Sequence, residues 1–207
     1  MSELLPLFPL PTVVLFPNVF LPLHVFEPRY RDMVGDALAS DRLIGVVLLK
    51  PGWEDDYEGR PAVYPVACSG VITHAERLPD GRYNIVLRGV ERVRILEEDA
   101  RRSYRQAVVT PLPEPPPSDD DRVTLQRLRT RLEALVVPAG NDVRLATDMA
   151  DEDVVNGLAQ YLDLDAIEKQ ALLEHDTVRH RAEAFVELLE MKILMARVAG
   201  TRPPLTH

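Results

Sequence analysis

The residues with catalytic potential in this chain are few, and their spacing matches no familiar catalytic pattern. Cys68 precedes a Ser-Gly pair, the nearest approach to the strained GxSxG turn that exposes a serine nucleophile. The pair lies in a strand-like run, so a buried structural cysteine is the favoured interpretation. His24 is flanked by apolar residues and is interpreted as a hydrogen-bonded core or edge histidine rather than a general base. We therefore expect a protein that is not an enzyme, with no catalytic residue.

Nucleotide, cofactor and metal sites are not predicted either. A phosphate-binding GxxxxGK[ST] loop does not occur in the sequence, and neither does GxGxxG. His175 and His180 are five residues apart, which places them on different faces of one helix or across its start. Solvated polar side chains are favoured over a zinc site, because a structural zinc needs clustered ligands.

A group of arginines in the middle of the chain has two interpretations. On alternating strand positions they would line a face that grips RNA phosphates or another acidic ligand. Acidic residues lie among them, and the net charge of −9 disfavours nucleic acid. Solvated strand faces with cross-strand ion pairs are therefore preferred. The group consists of Arg77, Arg82, Arg88, Arg92 and Arg94.

Two aromatic residues are candidate contacts for a binding partner. Trp53, the single tryptophan, and Tyr57 lie in a charged loop over residues 50–60. Tryptophan is enriched at binding hot spots, which favours a contact role. The side chains could equally fold back over the core, and the sequence leaves both interpretations open.

An apolar opening segment decides the class of protein. Residues 4–26 contain no Asp, Glu, Lys or Arg, and the run is long enough for a membrane span. Its five prolines are incompatible with a helix, and no signal-peptide layout is present, so short extended segments are predicted. With a single cysteine, a reducing, cytoplasmic location and no membrane partner are expected. The prolines are Pro6, Pro9, Pro11, Pro17 and Pro22.

The hydrophobic period divides the chain into two parts. Short β-branched runs, the first of them over 13–16, predict strands up to about residue 110. One helix is predicted to begin at Glu27-Pro28. Asp80-Gly81 predicts a hairpin, and Gly89 a bulge or bend.

A helical period follows a proline-rich linker. We predict a β-rich subdomain over 1–110, a Pro/Asp-rich linker over 111–121 and a helical bundle over 122–207. The first stripe of the bundle is expected to include Val123 and Leu132, and the second Val154 and Leu158. Asp165 and Glu168 predict a helix cap.

Several blocks of sequence resemble the N-terminal substrate-binding domain family of Lon proteases. The blocks span nearly the whole chain in the family's order, which makes the match specific; one departure is Asn18-Val19, where Lon proteins often have a pair such as Gly-Met. The matching blocks are LPLFPL (5–10), FPNVFLPLHVFEPRYRDMV (16–34), SGVI (69–72), DGRYNIVLRGVERVRI (80–95) and EKQALLEHDTVRHRAE (168–183).

The resemblance implies an α+β fold, with a β-rich PUA-like N-terminal subdomain followed by a C-terminal helical bundle. It implies a non-catalytic module that binds unfolded or exposed polypeptide segments. An accessory role in ATP-dependent proteolysis would add a Lon-type protease as a partner. The alternative is an RNA-binding PUA-like module, since folds of this type often bind RNA. A monomer or weak homodimer is expected.

Overall fold

The computed structural model describes residues 4–56, 59–136, 149–198 and 200. The described residues form six strands and five α-helices, which confirms the predicted α+β class. The strands are β1 (Leu5–Leu10), β2 (Phe20–Val25), β3 (Leu43–Leu48), β4 (Val66–Arg77), β5 (Tyr83–Asp99) and β6 (Arg105–Pro111). The helices are α1 (Pro28–Leu38), α2 (Asp119–Val136), α3 (Asp151–Tyr161), α4 (Ala166–Glu174) and α5 (Val178–Val198), with a 3-10 turn at Trp53–Asp56.

The chain divides into two compact units, Met1–Pro113 and Glu114–His207. All six strands and α1 belong to the first unit, and helices α2 to α5 belong to the second. The segment predicted as a linker contributes to elements at both of its ends, because β6 ends at Pro111 and α2 begins at Asp119. The acidic run at 119–121 forms the first turn of α2, where negative charge opposes the positive end of the helix dipole.

The sheet runs in the order β2-β5-β4-β3-β1-β6, and a further pairing joins β6 to β5. That pairing closes β5, β4, β3, β1 and β6 into a ring. Among the described strands, β1 and β3 pair in parallel and the other ladders are antiparallel. Strand β2 pairs with the first half of β5 and lies outside the ring. Strand β5 therefore belongs to two structures. Its first half lies between β2 and the second half of β4 in an open sheet that we call the platform, and its second half belongs to the closed ring.

Helix α1 packs on the platform and supplies much of the core. It begins at Pro28, as predicted, with proline where a missing N–H costs nothing. Tyr30, Met33 and Val34 are at most 3% exposed, and each buried side chain of this size contributes about 1.5–3 kcal/mol. They meet buried residues from β1 to β5, including Cys68, whose predicted burial is confirmed.

The prediction of a strand at residues 13–16 is wrong. Val14, Leu15 and Phe16 are buried, but they belong to no ladder. Prolines bracket the segment at Pro11 and Pro17, and proline disrupts ladder pairing because it has no N–H to donate. The apolar residues of this segment therefore correctly predicted its burial but not its backbone pairing.

Gly89 marks a bulge in β5, as predicted. The β4–β5 register shifts where Ser69 pairs with Glu91 but Gly70 pairs with Gly89. The Gly89 N–H donates to the carbonyl of Val19 (2.9 Å), and the Gly89 carbonyl accepts from the N–H of Asn18 (3.0 Å). A Cβ at Gly89 would lie 2.0 Å from the Phe16 carbonyl oxygen. The position needs glycine because two stretches of backbone are in direct contact there.

The β4–β5 hairpin is confirmed at Asp80-Gly81. Gly81 has a φ of 82°, a left-handed conformation that favours glycine. The Asp80 carboxylate accepts from the backbone N–H of Arg82 at 3.1 Å, a local bond that helps to hold the turn.

Within the helical unit, the stripe predicted for α3 is confirmed and the one predicted for α2 is partly wrong. Val154 and Leu158 are at most 2% exposed, as is Leu132 on α2, but Val123 is 49% exposed. Leu125 takes the buried position instead, since it lies one helical heptad before Leu132. The predicted cap on α4 is confirmed: the Glu168 carboxylate accepts from the Asp165 N–H at 2.8 Å.

Arg181 connects several segments of the helical unit through its side chain. Its side chain is fully buried and pairs with the carboxylate of Glu114. The guanidinium also donates to the Asn156 side-chain oxygen (2.8 Å) and to the Leu172 carbonyl (3.1 Å). One side chain thus joins α3, the end of α4 and the segment before α2 to α5.

Candidate functional site

A polar cleft of about 570 Å³ lies in the first unit, between three segments that are distant in sequence. Helix α1, the β4–β5 hairpin and the loop from β5 to β6 form its walls. We call it the arginine cleft, because four arginines and two aspartates line it. The charged lining residues are Arg31, Asp32, Asp36, Arg77, Arg101 and Arg102.

The carboxylates of the cleft are held by the β5–β6 loop. Asp36 accepts from the Tyr104 hydroxyl at 2.8 Å and pairs with Arg102 at 3.2 Å. Asp32 accepts from the Ser103 hydroxyl at 3.0 Å. These contacts tie the loop to α1 and direct both carboxylates toward the protein's own donors.

Tyr104 has a strongly shifted acidity. Burial is the largest cause, and the hydrogen bond to the Asp36 carboxylate acts in the same direction, so the pKa of Tyr104 rises from 10 to about 12. Between pH 10 and about 12, Tyr104 therefore keeps its hydroxyl proton in the folded chain and loses it in the unfolded chain. The resulting stabilisation is present below pH 10 and is lost as the pH rises toward 12.

We expect the difference in 295 nm absorbance between the natural chain and Tyr104→Phe to titrate near pH 12, because only Tyr104 separates the two. The other tyrosines cancel in the difference and serve as the internal control. A difference curve centred near pH 10 would contradict the buried hydrogen bond to Asp36.

Two arginines of the cleft are left without a carboxylate. Arg101 pairs with Asp99 at 2.7 Å and Arg102 with Asp36. Within the described ranges, no ion pair or side-chain hydrogen bond involves Arg31 or Arg77. The cleft therefore presents two guanidinium groups available to an anion.

Both of these arginines are positioned by their surroundings. A Cβ at Gly81 would lie 2.2 Å from the Arg31 Nη2 atom, so the guanidinium rests directly against the hairpin turn. The Arg77 guanidinium carbon lies 6.0 Å from the centre of the Tyr83 ring, within range of a cation–π contact.

A second candidate surface is the outer face of β2. Side chains alternate along a strand, and Leu21 and Val25 turn into the core. The opposite face carries exposed side chains, with Phe20 49% and Phe26 60% exposed. We call this surface the outer β2 face; it consists of Phe20, Pro22, His24 and Phe26.

A polar network crosses the platform beside the outer β2 face. The amide oxygen of Asn84 lies 2.8 Å from His24 Nδ1, and its amide nitrogen donates to Glu76 at 2.9 Å. Arg82 Nη1 lies 3.2 Å from His24 Nε2. Because the Arg82 guanidinium can only donate, Nε2 accepts from Arg82 and Nδ1 is left to donate to the Asn84 oxygen. The predicted hydrogen-bonded edge histidine is confirmed.

The two predicted contact residues are placed as follows. Trp53 begins the 3-10 turn and is partly buried. Tyr57 lies outside the described residues. The loop is closed at its base, where the Lys50 N–H donates to the Ala62 carbonyl at 2.8 Å. Trp53 lines neither the arginine cleft nor the outer β2 face, and its contact role remains a prediction.

The arginines singled out in the sequence do not form one basic face. Arg92 is buried at 2% exposure. Arg82 pairs with Asp80 at 2.6 Å, and Arg77 belongs to the arginine cleft. Arg31 was not predicted from the sequence as a site residue, because it lines the same cleft as Arg77 only in the folded chain. Phe20 and Phe26 were not predicted either, although the every-second-residue spacing along β2 was a usable signal.

The helical unit exposes an apolar strip of its own. Met191, Leu194, Met195 and Val198 on α5 are 53–82% exposed and recur at helical spacing. Of the helices described, none is long and apolar enough to cross a membrane. Across the described ranges, His, Cys and carboxylate residues do not come together in a group that could hold a metal.

Comparison with known proteins gives one consistent family. The model of the "ATP-dependent protease La (LON) substrate-binding domain" matches residues 4–191. Lon protease 2 of Desulfotalea psychrophila is 28% identical over 205 residues, which cover 96% of this chain and 26% of that protein. Lon protease of Rhizobium meliloti is 25% identical over 95% of this chain and 25% of its own length. The chain thus spans about a quarter of these curated relatives.

Two solved structures share the fold. The Lon N-terminal domain protein from Xanthomonas campestris is 25% identical, with a TM-score of 0.60 over 89% of this chain and 98% of that chain. The N-terminal domain of Mycobacterium avium complex Lon protease has a TM-score of 0.68 over 91% of this chain and 98% of that chain. Its identity is 18%, so that likeness concerns the fold alone.

Proposed function

The chain belongs to the family of ATP-dependent protease La (LON) substrate-binding domains, and we propose that it is a non-catalytic module that binds unfolded or exposed polypeptide. The family description supports a substrate-binding role. The observation that carries the proposal on this chain is the outer β2 face, where apolar side chains are exposed on a strand at the end of the sheet order.

An extended polypeptide is the ligand that fits this surface. A strand at the end of a sheet can accept a further strand, so main-chain hydrogen bonds supply affinity whatever the ligand sequence. Alternate side chains of the added strand would contact Phe20, Pro22 and Phe26. Pro22 has no N–H to donate, so the main-chain hydrogen bonds of an added strand would involve the residues of β2 on either side of it. Folded proteins protect most of their strand edges, so an unfolded polypeptide offers far more segments that can pair with β2.

Trp53 and Tyr57 remain proposed peptide contacts. Trp53 is the single tryptophan, so the intrinsic fluorescence of the chain reports its environment. In a contact role, its emission shifts when an unfolded polypeptide is added. An unchanged emission during saturable binding would favour the alternative, in which Trp53 only covers the core.

We expect Phe20→Asp with Phe26→Asp to weaken the binding of an uncharged, amidated 12-residue peptide at least about tenfold, the size of effect usual for aromatic hot spots. The cause is the loss of two exposed apolar contacts and the desolvation of two new charges. Fluorescence polarisation of the labelled peptide measures the change. N-methylation of alternate peptide residues should weaken binding similarly, because it removes the N–H donors of an added strand.

The matched control is Leu194→Asp with Met195→Asp, which places the same charges on the exposed strip of α5. Its affinity should stay within about twofold of the natural chain, since isolated surface changes have small effects. If this control lost binding and the β2 variant did not, the peptide site would lie on α5 and the assignment to β2 would be wrong.

We further propose an accessory role in ATP-dependent proteolysis, with a Lon-type protease as partner, in the cytoplasm and as a monomer or weak homodimer. The support is the relatives named above, which are Lon proteases about four times as long as this chain. Co-purification with the Lon-type protease of the same organism tests the partnership. The RNA-binding alternative lacks a continuous basic face, because Arg92 is buried and Arg82 is paired.

A further inference from the structure

The arginine cleft lies on the other side of the platform from the outer β2 face. Tyr83 and Arg77 are ladder partners on β5 and β4. Each lies two positions from a residue that faces the core beneath α1, Tyr83 from Ile85 and Arg77 from Ala75, so both side chains point to that side of the sheet. The side chains of His24 and Asn84 point the opposite way. The cleft and the outer β2 face therefore lie on opposite sides of the platform, and alternate side chains of a strand added to β2 point toward each side in turn.

The charge of the cleft opposes that of the whole chain. Four arginines and two aspartates give its lining a net charge of +2, whereas the chain carries −9. The aspartates are engaged by Ser103, Tyr104 and Arg102, and Asp99 engages Arg101. Once the Arg101–Asp99 and Arg102–Asp36 pairs are set aside, Arg31, Arg77 and Asp32 remain, and their net charge is +1.

We infer that Arg31 and Arg77 form a binding site for a single carboxylate of an acidic polypeptide segment. A guanidinium presents paired N–H donors that match the two oxygens of a carboxylate. The volume of about 570 Å³ accommodates one or two residues, in the range of ordinary ligand pockets. The Tyr83 ring supplies an apolar wall for the methylene groups of the ligand.

A carboxylate suits this cleft better than a chain of phosphates. Asp32 and Asp36 stand in the same wall, so further negative charge on a ligand meets repulsion from both. Nucleic acid binding also relies on many positive contacts along a track, whereas two arginines here are available. This assignment rests on the proposed polypeptide-binding function, since it names which polypeptides are preferred.

The test compares three labelled 12-residue peptides with otherwise identical uncharged sequences. One has a central Glu and an amidated C-terminus, one has Gln in its place, and one has Gln with a free C-terminal carboxylate. The natural chain should bind the Glu peptide at least about tenfold more tightly than the amidated Gln peptide, the lower end of the effect of a hydrogen bond to a charged group. The third peptide shows whether a terminal carboxylate is accepted as well as a side chain.

Arg31→Gln with Arg77→Gln should abolish the preference for Glu while leaving affinity for the amidated Gln peptide unchanged. That retained affinity, together with an unchanged thermal melt, shows that the variant is folded. The control, Arg94→Gln with Arg122→Gln, removes the same charge from exposed positions outside the cleft and should keep the preference.

Each contrary outcome has its own meaning. Equal binding of the Glu and Gln peptides by the natural chain overturns the carboxylate site and leaves polypeptide binding intact. No binding of any peptide overturns both proposals. A single-stranded RNA oligonucleotide provides the last comparison. Tighter binding of the oligonucleotide than of the Glu peptide, together with loss of oligonucleotide binding in Arg31→Gln with Arg77→Gln, would overturn the assignment in favour of RNA.

Discussion

Replacing Arg181 by Met should destabilise the helical unit by about 3–5 kcal/mol, the usual cost of removing one partner of a buried ion pair. The substitution leaves the Glu114 carboxylate, 14% exposed, without the guanidinium that neutralises it. It also removes the donors to Asn156 and to the Leu172 carbonyl. Urea unfolding followed by circular dichroism at 222 nm measures the loss, because most of the helix lies in this unit.

Arg131→Met is the matched control. Arg131 pairs with Glu190 between α2 and α5, but the two side chains are 55% and 43% exposed, so the expected loss is about 0–1 kcal/mol. Adding Glu114→Gln to Arg181→Met should recover part of the stability, because the remaining buried charge is removed. An Arg181→Met variant as stable as the control would show that the buried pair is not a major source of stability.

Replacing Gly89 by Ala should destabilise the first unit by at least about 3 kcal/mol, the upper range for overpacking a core. A methyl group cannot stand 2.0 Å from the Phe16 carbonyl oxygen, and this neighbour is backbone that cannot rotate away. Either β5 or the turn before β2 must move, which disturbs the two backbone bonds between them. Trp53 fluorescence during unfolding reports this unit, since the single tryptophan lies within it.

Gly35→Ala provides the opposite expectation in the same unit. Gly35 lies inside α1, and the nearest atom to a Cβ there is the Tyr83 hydroxyl at 4.0 Å. Alanine should therefore stabilise the unit by about 0.5–1 kcal/mol through helix propensity. If Gly89→Ala were as harmless as Gly35→Ala, the close backbone contact at the bulge would be refuted.

Local signals in the sequence predicted the elements well. Pro28, Asp80-Gly81 and the α3 stripe each follow from chemistry within a few neighbouring residues, and the structure has all three. The failures arise where distant segments decide. Val14 is buried without a ladder, and Glu114 lies in a proline-rich stretch but pairs with Arg181. No local pattern reports a partner 67 positions away.

The candidate site was less predictable than the fold for the same reason. The arginine cleft draws Arg31, Arg77 and Arg102 from three segments, and nothing in the spacing of these residues brings them together. Arg88 and Arg92, grouped with Arg77 by proximity in sequence, end in different environments, one exposed and one buried. Strand alternation and the β5 bulge separate neighbours that a linear reading places on one face.

The ring of the first unit can close only after β6 has been synthesised. Leu5 pairs with Ala107, so the partner of the first strand is translated roughly 100 residues later. At about 5–20 residues per second, that delay is on the order of 5–20 s. For this interval the uncharged opening segment has emerged while its final neighbour has not. The nascent chain therefore exposes its most apolar stretch before the first unit can complete its core.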